Sequence, residues 1–195
     1  MQLRFLLIVS IIFAFTQLTF CQTKNEKEER VKLSDFPEMA QKLVEGLPKK
    51  CKRIKFYKET DGEKQSFEAK FKYKKQRYSL EFSTKGNIED IEVVIKLKDI
   101  DTFPREKIKN YFKNTFTKHK FIKIQKQFVY SSKINASKFI DNVLSQNPRT
   151  PTNFEIIAEV TTEKKRNIRE FTFNNVGMFL SFRVLNPTSY EHVLY

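Results

Sequence analysis

Phe67-Glu68-Ala69-Lys70-Phe71-Lys72-Tyr73 puts an apolar or aromatic group at every second position, with charged groups between. A strand with one buried face gives that period of two, whereas a helix would spread the same residues around its circumference. Working backwards, the Thr60-Asp61-Gly62 turn leads to a preceding strand with Ile54 and Phe56 on one side. Working forwards, a Lys75-Gln76 turn leads to Tyr78, Leu80 and Phe82, which alternate with Ser79 and Glu81. Lys85-Gly86-Asn87 then turns into Ile91, Val93, Ile95 and Leu97. Ahead of these strands, Ser34-Asp35-Phe36-Pro37 supplies capping side chains and a proline permitted in a first helical turn. Phe36, Ala40, Leu43, Val44 and Leu47 fall on one helical face, and Gly46 and Pro48 end it.

The same order then returns. Thr102-Phe103-Pro104 opens a second helix with Ile108, Tyr111, Phe112 and Phe116 on its face. Lys120-Phe121-Ile122-Lys123-Ile124 echoes Lys52-Arg53-Ile54-Lys55-Phe56 68 positions on, and three more alternating strands follow to Val184. The pattern predicts an α+β fold of two tandem helix-then-four-antiparallel-strands units, 34–100 and 101–195, with both helices on one face of the sheet. An insertion at 131–152 replaces a tight turn in the second unit. Its Phe139, Ile140, Val143 and Leu144 suggest a short extra helix ended by Asn147-Pro148, either capping a sheet edge or serving a function.

The N-terminus reads as a signal peptide, residues 1–21. Met1-Gln2-Leu3-Arg4 is positive, and Phe5 to Phe20 is nearly all apolar but short of the ~20 residues a membrane span needs. Thr19-Phe20-Cys21 places cleavage after Cys21; a lipidated Cys21 or an uncleaved anchor are the alternatives. Residues 22–33, polar and charge-mixed, are expected to be a flexible leader. The mature chain of 174 residues carries net charge +13 and one cysteine, Cys51, so an exported protein here depends on packing rather than an internal disulfide. Cys51 is a small core group or, flanked by Lys50 and Lys52, a reactive thiol.

This arrangement resembles the PepSY-like exported bacterial proteins, related in fold to the beta-lactamase inhibitor protein, which contain tandem helix-then-strands units. The resemblance is carried by the helix start Ser34-Asp35-Phe36-Pro37, the lysine-rich strands and the Lys85-Gly86-Asn87 turn. It covers Ser34 to Leu97 well and Thr102 to Leu185 more loosely. It implies a module that binds or inhibits other proteins and is not an enzyme, and it carries over no inhibitory residue.

Four glycines cannot build a Gly-rich phosphate loop, and two cysteines cannot build a CxxC zinc site. His119 lies between Lys118 and Lys120 at a strand start, and His192 lies near the C-terminus. Glu89-Asp90 and Asp99-Asp101 read as solvating groups at turns. Asn135-Ala136-Ser137 matches a glycosylation acceptor, relevant only to a eukaryotic secretory route. No catalytic residue, metal or cofactor is expected. Charge is concentrated instead: residues 49–85 sum to +8 and residues 105–126 to +7. On the sheet face opposite the helices the pattern places Lys70, Lys72, Lys74, Arg77 and Glu81 from the first unit, and Glu155, Ile157 and Glu159 from the second. Lys70, Lys72, Lys74 and Arg77 are therefore the expected binding residues, for an acidic exported or envelope protein. Anionic lipid or polysaccharide is the alternative ligand, so a membrane-surface role stays open. Export argues against nucleic acid.

Overall fold

The computed structural model describes residues 23–146, 150–163 and 165–185. Residues 1–21, expected to be a signal peptide, Asn147-Pro148 and His192 lie outside them. Ten strands form one sheet: β1 (Thr23–Lys24), β2 (Glu26–Val31), β3 (Lys52–Asp61), β4 (Lys64–Tyr73), β5 (Gln76–Ser83), β6 (Ile88–Ile95), β7 (Lys118–Val129), β8 (Asn153–Thr162), β9 (Lys165–Asn174) and β10 (Phe179–Leu185). Helices α1 (Glu38–Glu45), α2 (Thr102–Thr115) and α3 (Ala136–Leu144) complete the fold. The strand order is β1-β10-β9-β8-β7-β6-β5-β4-β3-β2, antiparallel except for β1 beside β10.

That order has a consequence: the two outermost strands are consecutive in the chain, with only Asn25 between them. Lys24 pairs with Leu185 of β10, while Glu26 pairs with Asp61 of β3. The hydrogen-bonded ladder therefore runs all the way round, and the sheet is a closed barrel. Arg183 of β10 reaches Asp61 of β3 at 2.7 Å, which independently shows the two ends meeting. Residues 23–31 are thus paired strand rather than a flexible leader. The composition misled because their alternate charged groups point into a polar interior instead of into water.

The three α-helices among the described residues pack on the outside. Ala40 and Val44 of α1 and Phe139, Ile140, Val143 and Leu144 of α3 cover Ala69, Phe71, Leu80, Phe82, Ile91 and Phe128. The insertion's helix is therefore core: its apolar stripe joins the same cluster as α1, and Asn135 caps it by accepting from the Lys138 amide at 3.2 Å. Ile108 and Phe112 of α2, with Phe116 just past its end, cover Ile124, Phe154, Ile156, Phe171 and Phe173. Phe112 meets Phe121 and Phe171 edge-on, each at 4.8 Å, an arrangement that adds to its burial.

Helices α1 and α2 are entered in the same way. A short 3₁₀ turn precedes each, Leu33–Asp35 and Leu97–Asp99, and in both the aspartate accepts from a lysine amide, of Lys32 at 2.8 Å and of Lys96 at 2.9 Å. A glycine with positive φ, Gly86 or Gly177, then seats a turn of the sheet against the helix-start proline. A methyl group on Gly177 would stand 2.5 Å from the Pro104 carbonyl oxygen, so the backbone itself would have to move. Gly177→Ala should cost at least about 2 kcal/mol, from the left-handed φ and the clash together. Gly62 has positive φ and open space around it, so Gly62→Ala should cost only about 1 kcal/mol. Urea denaturation of the two variants checks the difference.

Candidate functional site

Closing the sheet turns the face opposite the helices into an interior. The period of two that puts Ala69, Phe71, Leu80 and Ile91 under the helices puts Glu68, Lys70, Ser79 and Glu92 inside. The barrel encloses a cavity of about 30 Å³. That exceeds the roughly 10–15 Å³ one water needs. Eight glutamates line it, with Lys24, Lys70 and Lys123 as the cations. Ile157 and Leu185 pack together on the same face as a small apolar patch.

Two charge networks organise this interior. Glu170, 3% exposed, receives Lys24 at 2.7 Å and Arg183 at 2.6 Å. Burial alone would raise its carboxyl, but the two cations outweigh that and hold it down to about 2. Lys70 lies 2.6 Å from Glu28 and 3.0 Å from Glu68. Burial disfavours its charge, yet those two carboxylates keep its ammonium well above the usual lysine range.

Among the described residues Glu59, Glu81, Asp90 and Glu155 have no such ion pair. Burial, reinforced by Glu68, pushes Glu59 up to about 12, so it holds a proton at neutral pH and Glu68 stays ionised beside it. Burial with neighbouring Asp90 and Glu92 raises Glu81, and burial with Glu92 and Glu170 raises Glu155. Asp90 is raised to about 8 by burial and by Glu92; its Oδ2 accepts from Gln127 at 2.9 Å and its Oδ1 accepts nothing. Sequence reading took Glu89-Asp90 for a solvating pair. Asp90 is in fact buried, because its strand turns it inward opposite Glu81. Carboxylate oxygens of Glu26, Glu28 and Glu59 lie within 4.8 Å of one another. Ammonium groups already neutralise two of them, Lys24 on Glu26 and Lys70 on Glu28, each at 2.6 Å.

The expected binding residues are split by this closure. Lys70 faces inward and is locked by its two glutamates, so it is not part of a free lysine surface. Glu81, Glu155 and Ile157 are likewise interior. Lys74 sits in the β4–β5 turn with its ammonium 5.2 Å from the Tyr73 ring. Lys72 and Arg77 face each other across β4 and β5, and Lys52 of β3 is opposite Lys72. Lys52, Lys72 and Arg77 thus form a row of three cations, and among the described residues none makes an ion pair. Like charges placed directly opposite on a sheet are unfavourable. Lys52 escaped notice because the row exists only once β3 is registered on β4.

Of the groups weighed for chemistry, Cys51 is half-buried, and His119 and Asp99 are exposed. Cys51 borders the first core cluster, and burial raises its thiol rather than activating it, despite Lys50 and Lys52. His119 rests against the rings of Phe112 and Phe121, at 5.4 and 5.3 Å. Asp99 is spent on its 3₁₀ turn.

No family model matches the chain, and no curated protein matches it. Solved structures do. A protein described as periplasmic from Bacteroides eggerthii aligns at 10% identity with TM-score 0.49, covering 76% of this chain and 88% of that one. A BLIP-like protein from Bacteroides fragilis gives 11% identity and TM-score 0.48, covering 76% and 86%. A DUF2874 family protein from Bacteroides ovatus gives 9% identity and TM-score 0.51, covering 80% and 96%. At such identities the likeness is one of architecture alone: the chain shares the α+β fold of the Bacteroides ovatus protein.

Proposed function

We propose that this chain is an exported, non-enzymatic binding module, built of two tandem PepSY-like units, which engages an acidic envelope or secreted protein. The surface we assign is the basic end of the barrel, carried by the Lys52–Lys72–Arg77 row with Lys74 beside it. That row is the single observation behind the reading. Three mutually repelling cations cost stability where they stand, and an anionic partner would offset that cost. The tandem reading is supported by paired features: the two capped 3₁₀ turns, the two turn glycines, and strand irregularities between Lys52 and Lys55 and between Phe121 and Lys123. Placement in the periplasm rests on the targeting segment read in residues 1–21.

The test is capture of exported proteins on the immobilised mature chain at low and moderate salt. The triple reversal Lys52→Glu, Lys72→Glu and Arg77→Glu should reduce capture about tenfold or more, with the loss largest at low salt. Capture unchanged in a folded triple variant would contradict the assignment. A parallel arm uses vesicles of anionic lipid. Binding there, abolished by the same reversals, would replace the protein partner by a membrane surface.

A further inference from the structure

We infer that the closing strand, residues 23–31, is a pH-operated strap: as charge builds up in the barrel interior the strap lifts from β3 and β10 and bares their edges, while the helix-covered sheet stays folded. The strap's anchoring differs in kind from that of the other strands. Its inward side chains are Lys24, Glu26 and Glu28, with Arg30 next on the same side but exposed, and Lys27 and Glu29 alternate with them. Val31 alone joins an apolar cluster. β4, β5, β8 and β9, by contrast, each bury two or more apolar side chains under a helix. A segment held by polar contacts and edge hydrogen bonds opens at lower free energy than the core does.

The electrostatics give that opening its pH dependence. Glu26 and Glu28 of the strap face Glu59 of β3, Glu68 of β4 and Glu81 of β5, and the cations of the cavity wall are Lys24, Lys70 and Lys123, with Lys64 acting on Glu81 from outside it. Eight glutamates against three lysines cannot all ionise in an enclosed space, so protons stay on some of them. On the other side Lys24 meets Glu170 and the neighbouring Glu155, and Arg183 also serves Glu170. Lifting the strap admits water, returns the raised carboxyls among them towards ordinary acidity and releases their protons. Burial holds Glu59, Glu81 and Glu28 above the usual range, in agreement with this direction. An opening that releases protons becomes more favourable as pH rises. Bare strand edges are templates for pairing, so the strap controls whether the barrel offers any.

Amide hydrogen exchange on the mature chain at pH 6, 7, 8 and 9, corrected for intrinsic exchange rate, tests this. Protection of residues 26–31 should fall about tenfold per pH unit for each proton released, and fall well before that of β5 and β8. Glu59→Gln keeps the shape and removes one titrating group, so the strap's pH slope should drop by about one proton; Glu81→Gln serves if that variant does not fold. Strap exchange that tracks β5 and β8 at every pH would overturn the inference. So would a strap slope unchanged in both variants.

Discussion

Arg183→Met should lower the unfolding free energy by about 2–3 kcal/mol, less than the ~3–5 kcal/mol of a fully buried pair because the Arg183 side chain is 35% exposed while Glu170 is 4%. Arg183 donates to Glu170 through Nε at 3.2 Å and Nη2 at 2.6 Å, and to Asp61 through Nη1 at 2.7 Å. Glu170 would keep only Lys24, and Asp61 would lose the contact that ties β3 to β10. The cost comes from charge left stranded in the interior, so adding Glu170→Gln to Arg183→Met should recover part of it, although a further polar contact has been removed. Urea midpoints for the wild type, the single and the double variant check both statements.

Stability should peak near pH 4–5 and fall steeply towards pH 8. Asp90 has its folded-state pKa raised from 3.8 to about 8, so the folded protein holds a proton the unfolded chain has lost across that window. Each such proton lowers stability by about 1.4 kcal/mol per pH unit as pH rises. The groups facing Asp90 are Glu81 on β5, Glu92 and Glu89 on its own strand, Lys64 on β4 and Gln127 on β7; Lys64 and the Gln127 hydrogen bond only partly oppose the rise. Glu170 has the opposite sign. Its folded value of about 2 lies below the unfolded one, so its contribution is present above about pH 4.5 and disappears as pH falls towards 2. Asp90→Asn should flatten the alkaline limb by about one proton and leave the acid limb in place. Denaturation at a series of pH values measures both limbs.

Much of the wall of this barrel was legible in the sequence because each strand states its own inside and outside. Phe67 to Tyr73 alternate strictly, Phe154 to Val160 do so except at Ile157, and the residues read there as helix-facing are found under the helices, whereas Ile54, Met178 and Leu180, read the same way, are exposed. The apolar stripe Phe139, Ile140, Val143 and Leu144 likewise identified a helix. What periodicity cannot state is closure. Glu26-Lys27-Glu28-Glu29 has no apolar face, so it carries no signal for a strand until the carboxylates opposite it are known. The same gap hid the interior. Lys70 and Glu68 sit on alternate positions of one strand, a pattern equally consistent with a solvated face, and only the ring of strands takes that face out of water. The basic row was half visible, as Lys72 and Arg77, whereas Lys52 required the register of β3 on β4.

The most direct test of the account is whether both edges of residues 23–31 are paired within one molecule. Nuclear Overhauser contacts in isotopically labelled mature protein at pH 5 should link Lys27 with Thr60 and Lys24 with Leu185, and dilution should leave both unchanged. Contacts to β3 without contacts to β10, together with unprotected amides along β10, would show an open sheet and contradict the closed barrel.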